Sequence, residues 1–90
     1  MSLAMPAPAE RRHTRRNVVV SGRRTSIRME RLFWTCLEEM CLERGVGIAD
    51  VLTEIDRRRG NLSLTAAVRL HVVAAYHRRL VPADGERRAS

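Results

Sequence analysis

The segment Arg24-Thr25-Ser26-Ile27-Arg28-Met29 alternates polar with less polar residues at a period of two, the pattern of a half-buried strand. One side of such a strand carries Arg24, Ser26 and Arg28, and the other carries Thr25, Ile27 and Met29. A guanidinium offers a fork of N–H donors that fits the O6 and N7 acceptors of guanine, and a serine hydroxyl can bond to several base edges. A second basic stretch, Arg11-Arg12-His13-Thr14-Arg15-Arg16, would attract a polyanion in a salt-dependent way.

Other reactive residue types lead nowhere comparable. Cys36 and Cys41, five apart on a helix, point in different directions and cannot bridge in place; they read as core or near-core thiols. His71 and His77 are six apart and fall on different helix faces, so no metal site is expected. Trp34 reads as a packing residue, and Arg57-Arg58-Arg59 as a solvated helix end that complements the helix dipole. With no glycine-rich phosphate loop, carboxylate pair or nucleophile–base set, neither an enzyme nor a cofactor is expected.

The 90 residues make one small domain, 44% hydrophobic and 30% charged, with only three aromatics. A core of Leu, Val, Ile, Met and Ala favours helices. The net charge is +7, carried entirely by arginine among the basic residues, and it is concentrated at the front. Residues 1–31 hold eight arginines against two glutamates, whereas the remainder holds nine against eight acids. Such a footprint suits nucleic acid or an acidic surface. No apolar run suits a signal peptide or a membrane span, so a cytoplasmic protein with no membrane partner is expected.

Three helices must position the strand. Phe33, Leu37, Met40, Cys41 and Arg44 keep helical spacing from Glu30 onward, and Gly45 provides the left-handed stop. Ile48, Val51, Leu52 and Ile55 mark a second helix over about 48–58. A third, capped by Asn61 or Ser63, runs to about Arg79 and is apolar around most of its circumference. It is expected to lie between subunits or under a partner protein. Residues 1–16 show no periodicity and are expected to be a disordered basic arm, residues 17–80 the folded domain, and residues 81–90 a disordered tail.

A lone strand leaves its backbone donors and acceptors unpaired. Val18-Val19-Val20 could fold back on it, although Ser21-Gly22 flanked by arginines is a weak hairpin signal. The alternative is antiparallel pairing with the same strand of a second chain about a twofold axis. That two-chain ribbon would turn Thr25, Ile27 and Met29 to the helices and Arg24, Ser26 and Arg28 outward, and a two-stranded ribbon fits the major groove of duplex DNA.

The order Arg24-Thr25-Ser26-Ile27-Arg28-Met29, then Phe33-Trp34-x-x-Leu37, Gly45 and Ile48-Ala49-Asp50-Val51-Leu52, resembles the ribbon-helix-helix fold of the Arc and MetJ repressors. Together with Glu54-Ile55-Asp56 and Asn61-Leu62-Ser63, it is similar to a bacterial, uncharacterised subgroup of that fold. The resemblance implies a mostly α intertwined homodimer with one short β-strand per chain, an intersubunit antiparallel ribbon and here an additional C-terminal helix. It implies a DNA-binding transcriptional repressor or autoregulator, with Arg24, Ser26 and Arg28 on bases. Phosphate contacts would fall to the backbone amides of Gly47, Ile48 and Ala49 at a helix N-terminus, joined by Arg11, Arg12, Arg15, Arg16 and Arg23. Two positions depart from the pattern: Gly47 stands where a Ser, Thr or Asn cap is usual, and Asp50 would repel a phosphate. An antitoxin using its last helix on a toxin, and a dimeric adaptor that binds no DNA, are the competing expectations.

Overall fold

Ser21 and Gly22 both take positive φ, 52° and 79°, and so close a two-residue turn of the type that matches the twist of a β-hairpin. The computed structural model describes residues 5–81. In it, β1 (His13–Val20) pairs antiparallel with β2 (Arg23–Glu30) over their full lengths, from His13 opposite Glu30 to Val20 opposite Arg23. A short helix, α1 (Pro8–Arg11), precedes them, and α2 (Arg31–Arg44), α3 (Ile48–Arg58) and α4 (Leu64–Leu80) follow.

The helices lie where periodicity places them. Gly45, at φ 67°, ends α2: its amide bonds to the Leu42 carbonyl and that of Val46 to the Cys41 carbonyl. Ser63 caps α4, its hydroxyl accepting the Ala66 amide at 3.1 Å. One core joins all the long elements, with Met29, Trp34, Leu37, Val51, Leu52 and Val68 fully buried in it. α4 contributes Ala67, Val68 and Val72 to this core, while its other side leaves Leu70, Val73 and Leu80 exposed. Cys41 is buried and Cys36 half-buried, both as free thiols.

The ribbon is where the fold departs from expectation. The chain has two strands rather than one, and they pair with each other as a hairpin within the chain. The expected disordered arm is likewise corrected: residues 8–11 are helical and 13–16 belong to β1. Four hydrogen bonds explain why a polar hairpin is ordered. The Trp34 indole donates to the Thr14 carbonyl at 2.9 Å. The Arg31 amide bonds to the Arg12 carbonyl at 2.7 Å, closing the open end of the hairpin. At the turn, the Ser21 amide donates to Thr53 Oγ1 at 2.9 Å and the Ser21 hydroxyl to Asp56 Oδ2 at 2.8 Å. These two bonds from α3 offset the cost of a left-handed serine. Of the expected tail, only Val81 is described; residues 82–90, like 1–4 of the arm, lie outside the described residues.

Candidate nucleic-acid interface

Side chains alternate across the hairpin. Thr14, Arg16, Val18 and Val20 of β1 face the helices with Thr25, Ile27 and Met29 of β2. His13, Arg15, Asn17 and Val19 face outward with Arg24, Ser26 and Arg28, and all seven are exposed. The register sets Arg15 opposite Arg28, Asn17 opposite Ser26 and Val19 opposite Arg24. Counting from a two-residue turn, these outward pairs are the non-hydrogen-bonded ones, in which side chains approach most closely.

Arg24, Ser26 and Arg28 therefore stand in a row on the solvent side, as their alternation indicates. Among the described residues, Arg15, Arg24 and Arg28 enter none of the ion pairs or cation–π contacts. Only Glu30 among the acids lies on these strands, at the open end of the hairpin, and it is already engaged. Its Oε1 accepts both Nε and Nη2 of Arg69, at 3.0 and 2.6 Å. Burial pushes the Glu30 carboxyl up, but the Arg69 hydrogen bond, a backbone hydrogen bond and the charges of Arg69 and His13 together outweigh it and hold the group below its ordinary pKa.

The other expected contacts divide. Arg16 is an inward residue: its guanidinium lies 4.9 Å from the Trp34 ring centre and 2.7 Å from Glu38 Oε2, so it is committed to the protein. Its expected role on phosphate is corrected accordingly. Arg11 ends α1 and Arg12 follows it, both exposed beside the open end of the ribbon. Arg23 is exposed at the turn, near enough to Asp56 to help lower its pKa, after the larger effects of the Arg59 and Ser21 hydrogen bonds. Gly47 is the extended N-cap of α3 and offers no side-chain cap; Ile48 and Ala49 form the first turn with Asp50. Sequence reasoning missed the outward residues of β1, namely Asn17, Val19 and His13, and read Arg15 as part of an unstructured arm. Their common parity was the available signal, hidden by the polar Thr14 and Arg16 on the inward side.

A family model described as a ribbon-helix-helix domain matches residues 13–76. The chain belongs to the ribbon-helix-helix family. This is in general a family of DNA-binding regulators, non-enzymatic and dimerising. The match starts at the first residue of β1 and ends within α4, so both strands of the hairpin lie inside the ribbon-helix-helix domain. No curated protein and no solved structure matches the chain. Among the described residues, no helix is long and apolar enough to cross a membrane.

Proposed function

We propose that this ribbon-helix-helix protein is a sequence-specific transcriptional regulator, a repressor or autoregulator, that lays its ribbon in the major groove of its operator. The observation that carries the reading is the exposed row Arg24, Ser26 and Arg28 on a ribbon anchored from behind by Trp34 and α3. Two arginines without an acidic partner among the described residues can form bidentate bonds to guanines, and Ser26 between them can donate or accept at either base type. Arg11, Arg12 and Arg23 flank this row and supply phosphate attraction, which positions without reading sequence. The amides at the start of α3, from Gly47 to Ala49, are the place for a phosphate oxygen, with the Asp50 charge lowering its affinity there. A homodimer would set two such domains on one operator.

The test is duplex binding by fluorescence anisotropy across a salt series, for the protein and for the double variant Arg24→Ala/Arg28→Ala. The expected result is steeply salt-dependent binding, reduced about tenfold or more per arginine on a preferred site, with an unchanged circular-dichroism spectrum. Undiminished preference for that site in a folded double variant would sink the proposal.

A further inference from the structure

We infer that the cavity where α2, α3 and α4 meet binds a small organic phosphate, its phosphate group held by Arg58 and Arg78 and its apolar part resting against Leu62 and Leu70. No residue of the ribbon lines this cavity, and the inference does not depend on what the ribbon binds.

The site has two adjoining halves. One is a polar cavity of about 460 Å³, lined by Arg44 from α2, Glu54 and Arg58 from α3, and His71, Arg78 and Arg79 from α4. The other, about 270 Å³, shares Glu54, Arg58 and His71 with it and adds Ile55, Leu62 and Leu70. Leu62 and Leu70 are 42% and 56% exposed, so they present an open apolar wall beside the cationic half. Volumes of this order suit a small ligand.

Charge decides the class of ligand. Arg44 is paired with Glu54 at 3.5 Å, and Arg79 with Glu43. Arg58 and Arg78 enter no ion pair or cation–π contact among the described residues. Glu43 also lines the polar half, so four arginines and two glutamates leave a net charge of +2, which a phosphate dianion neutralises. The guanidinium fork fits phosphate oxygens bidentately. His71 is half-buried, and burial, joined by the charges of Arg44, Arg78 and Arg58, pushes its pKa down against the opposing pull of Glu54. Its imidazole is therefore neutral at pH 7 and adds one N–H donor.

Each of these arginines lies in the last turn of its helix, where the dipole favours a cation. That accounts for the residue types, but not for three helices lining one cavity with an excess of positive charge. The same helix ends repel an anion, so it is the guanidiniums that must hold the phosphate.

The experiment titrates the full chain with inorganic phosphate and then with phenyl phosphate, at constant ionic strength in chloride, following the arginine Nε–Hε signals by NMR. Saturable shifts are expected at Arg58 and Arg78, with Arg57, an exposed neighbour outside the cavity, unmoved. Phenyl phosphate is expected to bind about fourfold or more tightly than phosphate, because its ring covers the leucines. Arg58→Ala/Arg78→Ala alters two exposed positions, keeps its circular-dichroism spectrum and should weaken binding of either probe about tenfold or more. Uniform, non-saturating shifts at every exposed arginine, Arg57 included, would be screening by bulk anion and overturn the inference. So does unchanged affinity in the folded double variant. Phenyl phosphate binding no tighter than phosphate overturns the apolar half of the site. A double variant that loses affinity for duplex DNA, in a protein that binds neither probe, overturns the whole and assigns Arg58 and Arg78 to the DNA backbone instead.

Discussion

Arg15 and Arg16 are chemically identical neighbours on β1, yet the pleat sends them to opposite surroundings. Arg16 turns inward, lies over Trp34 and bonds to Glu38. Arg15 turns outward, opposite Arg28, and has no acidic partner among the described residues. The inner face of the ribbon is a set of contacts that fix its position. The outer face carries exposed side chains, of which Arg15, Arg24 and Arg28 have no ion-pair partner among the described residues, and the proposed function assigns Arg24, Ser26 and Arg28 to DNA. What distinguishes a structural arginine from a recognition arginine here is strand parity alone, and a charge count of the segment cannot see it.

The sharpest way to break this contrast is at the inner face. Trp34→Ala removes a buried indole and leaves the Thr14 carbonyl without its donor, so a loss of about 3–5 kcal/mol in chemical denaturation is expected. Amide exchange along β1 should accelerate more than that along α3. A loss under about 1 kcal/mol would show that β1 is held by something other than Trp34.

Next in size is the neighbouring pair. Arg16→Ala is expected to cost no more than about 1 kcal/mol, since the ion pair is half-exposed, while leaving DNA affinity at fixed salt nearly unchanged. Arg15→Ala should do the reverse, keeping stability within about 0.5 kcal/mol and weakening DNA binding. If the two variants behave alike, parity does not separate the roles.

The smallest effect concerns pH. Burial pushes Glu30 up, but the Arg69 hydrogen bond, a backbone hydrogen bond and the charges of Arg69 and His13 together hold it below its ordinary value of 4.5. A carboxylate with a depressed folded pKa stabilises fully above its unfolded value and loses that contribution as pH falls through the folded one. Stability should therefore decline on acidification below about pH 4.5, and Glu30→Gln should flatten that decline in urea titrations at several pH values. An unchanged slope would mean that the Arg69 contact contributes nothing in solution.

The helices were legible because their signals are local. Gly45 and Ser63 occupy their caps, and Ile48, Val51, Leu52 and Ile55 keep the spacing that buries one side of α3. Strand β2 was legible for the same reason, since Ile27 and Met29 are apolar at the buried parity. Strand β1 was not: its inward Thr14 and Arg16 are polar, and they are accommodated only by an indole and a carboxylate from α2, about twenty residues further along. The turn was obscured because serine is an unusual first residue for it. Its stabilising partners, Thr53 and Asp56, lie on α3 and give no sign next to the turn in sequence. The outward row on β2 was thus readable from the sequence, and the one on β1 required the register.

The two-residue turn at Ser21-Gly22 bears finally on how the ribbon comes into being. Strands joined by so short a connection can meet on the timescale of hairpin closure, about 1–10 μs, whatever the protein concentration. Strands supplied by two molecules must first collide, and their ribbon is diluted away as the molecules separate. A hairpin closed within one chain is in place as soon as that chain folds, at any protein concentration.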